Sequence, residues 1–302
     1  MNLGRSVKAT VANLALPISR CQSHAANLTV SGNNRSPVFR TANGTIVISV
    51  LKIADGNTNG VGGGIWCGTA NTLITNCTLA DNSAHIGGGA YGGSVKNCTI
   101  LGNTANFTGR GIVSGDTLNS IVGKNSAPNS PDCSGIINSL DFNLIGNTNG
   151  ATITGVTTHN IYGQDPLLGP LADNGGPTRT HALLPGSPAI DRGSSGGLTT
   201  DQRGQPRPVR FPACLSPGDG SDIGAYEADP ILRLTAIAKS GDDILLNFTA
   251  VFGRNNEIDS ENNLNGSWTM VTHNVAGSGG VMQAVDAGEA NQRQRFYRAS
   301  QE

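Results

Sequence analysis

The 302-residue chain carries 42 glycines, 14% charged residues and 4% aromatics, with a formal net charge of −1. Nucleic-acid binding needs clustered Lys and Arg against phosphate, and no such clustering is present, so a nucleic-acid partner is excluded. No apolar run approaches the roughly 20 residues that span a bilayer, and the chain is read as not membrane-spanning. Aliphatic residues nevertheless recur at short intervals among Gly, Asn, Ser and Thr, which suits many short strands joined by tight turns and a real core.

Residues 1–25 read as a poorly defined N-terminal extension. Arg5 and Lys8 precede a weakly apolar stretch from Ala9 to Ile18 that Asn13 and Pro17 interrupt. This is a poor match to a signal peptide, so no export signal is evident; the alternative is a true start further upstream.

From residue 26 to residue 164 the chain repeats itself. GGGIW begins at Gly62, GGGAY at Gly87 and GRGIV at Gly109; NCTLADNSA begins at Asn76, NCTILGNTA at Asn97 and the looser NSIVGKNSA at Asn119. Units of roughly 20–25 residues without a 3.6-residue apolar period fit the coils of a β-solenoid. The LxxLxL spacing of a leucine-rich repeat is absent. The predicted fold is all-β: a right-handed parallel β-helix, closed by a cap and followed by a small β-sandwich-like module. Stacked coils place equivalent residues in columns. Ile65, Ala90 and Ile112 form one apolar column; Leu79, Ile100 and Val122 form another. Cys77, Cys98 and Ser120 share the inward face, and Asn82, Asn103 and Asn125 line a corner where stacked amides can bond along the axis. Trp66 and Tyr91 alternate with the inward Ile65 and Ala90, so they point outward from neighbouring coils.

Past the clear repeats come DCSG from Asp132, SLDFNLIG from Ser139, DPLLGPLADNGGPTRTHALLPGSPAIDRG from Asp165, DQRGQPRP from Asp201 and DIGAYE from Asp222. With NLTVSGNNRSPVF from Asn27, these motifs in this order resemble the bacterial choice-of-anchor Q domain proteins. The resemblance covers roughly residues 26–228 and extends to polymorphic outer-membrane-type repeats. It implies a surface-associated β-helix and export to the cell surface or beyond, and it implies no reaction. The chain departs from the family pattern in having no Cys following the NLIG motif that ends at Gly146 and none directly before Asp222, Cys214 lying well upstream of it, so no disulfide is carried over.

Residues 165–228 are read as the last coils and the cap that an open solenoid end requires. Asp173, Asp191, Asp201, Arg203, Asp222 and Glu227 lie there. Their spacing matches no DxDxDG calcium loop, so turn and ion-pair roles are preferred. Residues 230–302 read as a separate small β-module. Its stretch from Leu264 to Arg298, with a Trp before an RFYR ending, is similar to C-terminal modules of other secreted bacterial proteins.

Six cysteines, at positions 21, 67, 77, 98, 133 and 214, fit no zinc spacing. Cys77 and Cys98 are preferred as buried thiols over a bridge between coils. His85 and His181 stand apart from other ligand types. Asp55, Asp81, Asp116, Lys96, Arg110 and Lys124 are scattered, and Asp81 aligns with Gly102 and Lys124 rather than with acids. Neither a catalytic residue, a metal site nor a cofactor is assigned. Trp66 and Tyr91 are the candidate ligand-binding pair, because aromatic faces stack on sugar rings. The functional expectation is a monomeric, exported, non-catalytic surface protein for adhesion, glycan contact or display, with a polysaccharide or another surface protein as partner. The alternatives are a polysaccharide lyase or glycoside hydrolase on the same fold, and a purely structural piece of a larger surface protein.

Overall fold

The computed structural model describes residues 29–69, 71–128, 131–184, 186–210, 216–228, 233–249, 255–262, 267–276, 281–292 and 294–301. The expected extension at 1–25, with Cys21, and Cys214 lie outside the described residues. The chain divides into two compact units. One is a solenoid that runs to His181 and resumes over Ser187–Glu227; the other comprises Ala228–Glu302 with Ala182–Gly186.

The solenoid is all-β, and the strands of its stacked coils pair in parallel. A seven-stranded sheet stacks Thr29–Ser31, Lys52–Ala54, Thr78–Ala80, Thr99–Leu101, Ile121–Gly123, Leu144–Ile145 and Ile161–Tyr162 in that order. A second sheet of nine strands includes Ile65–Cys67, Ala90–Tyr91 and Ile112–Leu118. The register follows the sequence columns: Leu79 pairs with Ile100 and Ile100 with Val122, while Ile65 pairs with Ala90 and Ala90 with Ile112. All six side chains are fully buried and belong to one core. Cys77, Cys98 and Cys133 lie in that core as free thiols. Burial, with Cys77 beside it, pushes the Cys98 thiol well above its usual range, so Cys98 is not a ready nucleophile.

The corner asparagines form a continuous chain of amides. Backbone N and Nδ2 of Asn82 both donate to Asn103 Oδ1, at 3.1 and 2.9 Å. Asn103 does the same to Asn125 Oδ1 at 2.9 and 3.0 Å. Asn125 in turn donates both groups to Asp132 Oδ1, each at 3.0 Å, which ends the chain on a carboxylate. A second inner column continues Cys77, Cys98 and Ser120 with Asn143 and Asn160: Cys98 N donates to Ser120 Oγ, Ser120 N to Asn143 Oδ1 and Asn143 N to Asn160 Oδ1. Each residue thus satisfies backbone polar groups at a corner where water is excluded.

Residues 187–210 and 216–227 run along the side of the solenoid, across the outward face of the seven-stranded sheet. Thr78, Thr99 and Ile121 point outward, yet they are essentially buried. Thr78 Oγ1 donates to Gln202 Oε1 at 2.7 Å and Ala225 N to Thr99 Oγ1 at 3.1 Å. The corner residues Asn76, Asn97 and Asn119, all at positive φ, donate through Nδ2 to the carbonyls of Thr200, Ser195 and Asp222. The strap carries two buried ion pairs, Arg203–Asp201 at 2.8 Å and Arg207–Glu227 at 2.7 Å. Arg203 also lies 3.7 Å from the Tyr226 ring centroid, and burial lifts the Tyr226 hydroxyl to about 12.

The second unit holds two three-stranded antiparallel sheets that share a core of Leu246, Phe248, Ile258 and Ala284. Arg295 and Tyr297 converge on Asp286.

Two outcomes are expected. Replacing Asn103 by Ala removes the acceptor for two donors of Asn82 and one of the two donors to Asn125 Oδ1, so denaturant unfolding should show a loss of about 3 kcal/mol; a change near zero would show that the amide chain is dispensable. Asp219 is partly desolvated, which opposes its ionisation, but donors on Ser195 and Ser221 hold its pKa below the usual value. A depressed folded pKa contributes stability above the unfolded pKa of about 3.9, and that stability is lost as pH falls through the folded value. The stability gap between the native chain and Asp219→Asn should therefore be open at neutral pH and close in acid.

Candidate functional site

Trp66 and Tyr91 stand where the repeats put them. The strands Ile65–Cys67 and Ala90–Tyr91 pair in parallel with Trp66 opposite Tyr91. Ile65 and Ala90 are fully buried while their neighbours Trp66 and Tyr91 are half-buried, so the aromatic pair faces outward. The structure adds a third member. Arg40 pairs with Trp66 from the preceding coil, is exposed, and holds its guanidinium 5.1 Å from the Trp66 ring centroid. Tyr91 pairs onward with Val113, and Val113 with Ser134, both buried. The outward column thus runs Arg40, Trp66, Tyr91, Val113, Ser134, with its exposed part at the Arg40 end. Among the described residues, no protein group bonds the Arg40 guanidinium, the Trp66 indole N–H or the Tyr91 hydroxyl. By contrast, the hydroxyl of Tyr162 is held by Asn160.

Glycine makes this column possible. The chain bends at Gly62 (φ +69°) and Gly87 (φ +71°) immediately before the two aromatic strands. A Cβ on Gly62 would lie 2.7 Å from Trp66 Cα, and one on Gly87 would lie 3.3 Å from Tyr91 Cβ. Only residues without a Cβ let the turn fold back against the base of the ladder.

The scattered charged candidates do not gather into one cluster, but Asp81, expected to align with no acid, has one acid beside it. The register sets Asp55 beside Asp81 on successive coils, since Ala54 pairs with Ala80, and Gly102 and Lys124 continue that corner. Asp55 accepts from Ser31 Oγ, and Lys124 pairs with Asp165 at 3.0 Å. Asp116 accepts from Asn138 Nδ2 at 2.9 Å, and Arg110 Nε donates to the Ala105 carbonyl at 2.6 Å. Among the described residues no group of three or more His, Cys, Asp or Glu is placed to hold a metal ion. Among the described residues there is no helix long and apolar enough to cross a membrane.

Three features escaped the sequence reading. His85 stacks on the exposed Phe107 of the next coil, centroids 5.5 Å apart. A register shift between Ala105 and Thr108 hides this pairing from a fixed repeat. His159 Nδ1 lies 2.7 Å from Asp141 Oδ2, and its ring stacks on Phe142 at 4.7 Å. Asp141 and Phe142 both take positive φ, and only the motif SLDFNLIG marked that turn. His181, read as isolated, is buried with Nδ1 2.8 Å from the Gly169 carbonyl. Burial lowers its pKa, which favours the neutral ring.

No protein-family model matches the chain, and comparison with curated proteins and with solved structures returns no match.

Gly62→Ala should destabilise the solenoid by at least about 2 kcal/mol in urea, from backbone strain and the approach to Trp66. Tyr91→Ala, which removes a half-exposed ring, should cost less than half of that. Equal costs would mean that the glycine turn does not set the ladder.

Proposed function

We propose that this chain is a non-catalytic, exported or cell-surface β-solenoid of the choice-of-anchor Q type that contacts glycans through one lateral face. The ordered motifs from Asp132 to Glu227 support the family and the surface setting. The observation that carries the glycan reading is the outward Trp66–Tyr91 pair in register on successive coils, with its polar edges free. Aromatic rings present a flat apolar surface to the C–H face of a sugar, and the indole N–H and phenol hydroxyl remain to bond its hydroxyls. Parallel coils place successive side chains about 4.8 Å apart, close to the step between neighbouring sugars in an extended polymer. A solenoid repeats that spacing without further design, which suits a long ligand more than a small one.

The test is retention on a panel of immobilised polysaccharides, with product analysis for new reducing or unsaturated ends. The native chain should be retained by at least one polymer without releasing product. Trp66→Ala with Tyr91→Ala should lower affinity at least about tenfold, about 1.4 kcal/mol, with the circular dichroism spectrum unchanged. Retention that survives both substitutions would move the contact elsewhere; product release would replace the binding role with catalysis.

A further inference from the structure

Resting on the glycan-contact reading, we propose that the Arg40–Trp66–Tyr91 column takes a carboxylated polysaccharide, a uronate-type polymer laid along the solenoid axis. In this arrangement Arg40 forks a sugar carboxylate, and the aromatic pair holds ring faces.

The aromatic column carries a cation that has no carboxylate partner among the described residues; Arg35, Arg110, Arg179 and Arg192 also lack a carboxylate partner among them, but none of these four is placed over Trp66. Arg203, Arg207, Arg295 and Arg298 each meet a carboxylate within the chain. Arg40 meets none among the described residues, although it belongs to a chain with slightly more acids than bases. Its guanidinium lies over the Trp66 indole. This cation–π contact, 5.1 Å to the centroid, leaves the guanidinium N–H groups without a bond to any described residue, so they are available to grip a planar carboxylate by two parallel bonds. It also restricts the side chain before any ligand arrives, so less freedom is lost on binding.

The flanking strands do not offer a competing anion. The strands of the nine-stranded sheet that flank the column, Thr45–Ser49, Asn71–Thr75 and Ser94–Lys96, contain no acid and one lysine. The first acid along that sheet is Asp116, and it is bonded to Asn138. A negative ligand is thus attracted at Arg40 and is not repelled by its neighbours. The cation stands at one end of the column, and Val113 and Ser134 at the other are buried, so the polymer is held in one direction.

The experiment is calorimetric titration with polygalacturonate and with the same polymer fully methyl-esterified, which keeps the sugar rings and removes the charge. The acid form should bind at least about tenfold more tightly than the ester. Arg40→Gln should erase that preference while keeping binding to the ester. Lys124→Gln, at a lysine already paired with Asp165, should leave the preference intact. Equal affinity of the native chain for acid and ester would overturn the carboxylate assignment while the glycan reading stands. Binding to neither polymer would remove the assignment, and the glycan reading would then be decided by the wider panel. A loss in Lys124→Gln as large as that in Arg40→Gln would overturn the assignment in favour of unspecific charge attraction.

Discussion

A coil that closes on itself must turn its backbone through dry corners, and each N–H or C=O stranded there costs about 1–3 kcal/mol. This protein meets the demand by stacking side chains that bond along the solenoid axis. One Asn per coil, at positions 82, 103 and 125, accepts from the coil before it and donates to the coil after it. The column must stay in register, because a one-residue slip would turn the amides outward and the aliphatic residues with them. The two sheets, the position of Leu79, Ile100 and Val122, and the outward placement of Trp66 and Tyr91 all follow from that one constraint.

The two sheets then meet different fates. The seven-stranded sheet bears Thr78, Thr99 and Ile121 on its outer side, and the strap of residues 187–210 and 216–227 covers them, bonding Thr78 and Thr99. The strap is itself internally paired: Arg203 and Arg207 are matched by Asp201 and Glu227 in a setting where a lone charge would be untenable. The Trp66 and Tyr91 stretch of the nine-stranded sheet keeps an exposed face that begins at Arg40. The surface available for a ligand is therefore decided by where the strap lies as much as by the aromatic residues themselves.

Repeats made much of this legible. Identical residues at equivalent positions revealed the columns of Ile65, Leu79 and Asn82, and strand alternation revealed which of Ile65 and Trp66 points inward. Legibility failed where chemistry was kept and residue type was not. The inner column changes from Cys98 to Ser120 to Asn143 to Asn160, each supplying a group for a neighbouring backbone N–H, and such changes erase self-similarity. It failed again at Asp132, which ends the amide chain of Asn125 although its own neighbour Cys133 aligns with Ile112. A side chain reaching across from another column leaves no period to detect. Arg40 went unnoticed because its coil carries no copy of the glycine motif.

By itself the amino-acid order determined the parallel solenoid, the composition of its columns and the outward aromatic pair, because these are local alternations repeated at the coil length. Tertiary structure alone decided the path of the strap, the partners of Arg203 and Arg207, and the absence of a partner for Arg40 among the described residues. Those outcomes rest on contacts such as Asn119 with Asp222 and Thr99 with Ala225, which join residues more than a hundred positions apart. No periodicity connects such residues, so only the folded path of the chain can bring them together.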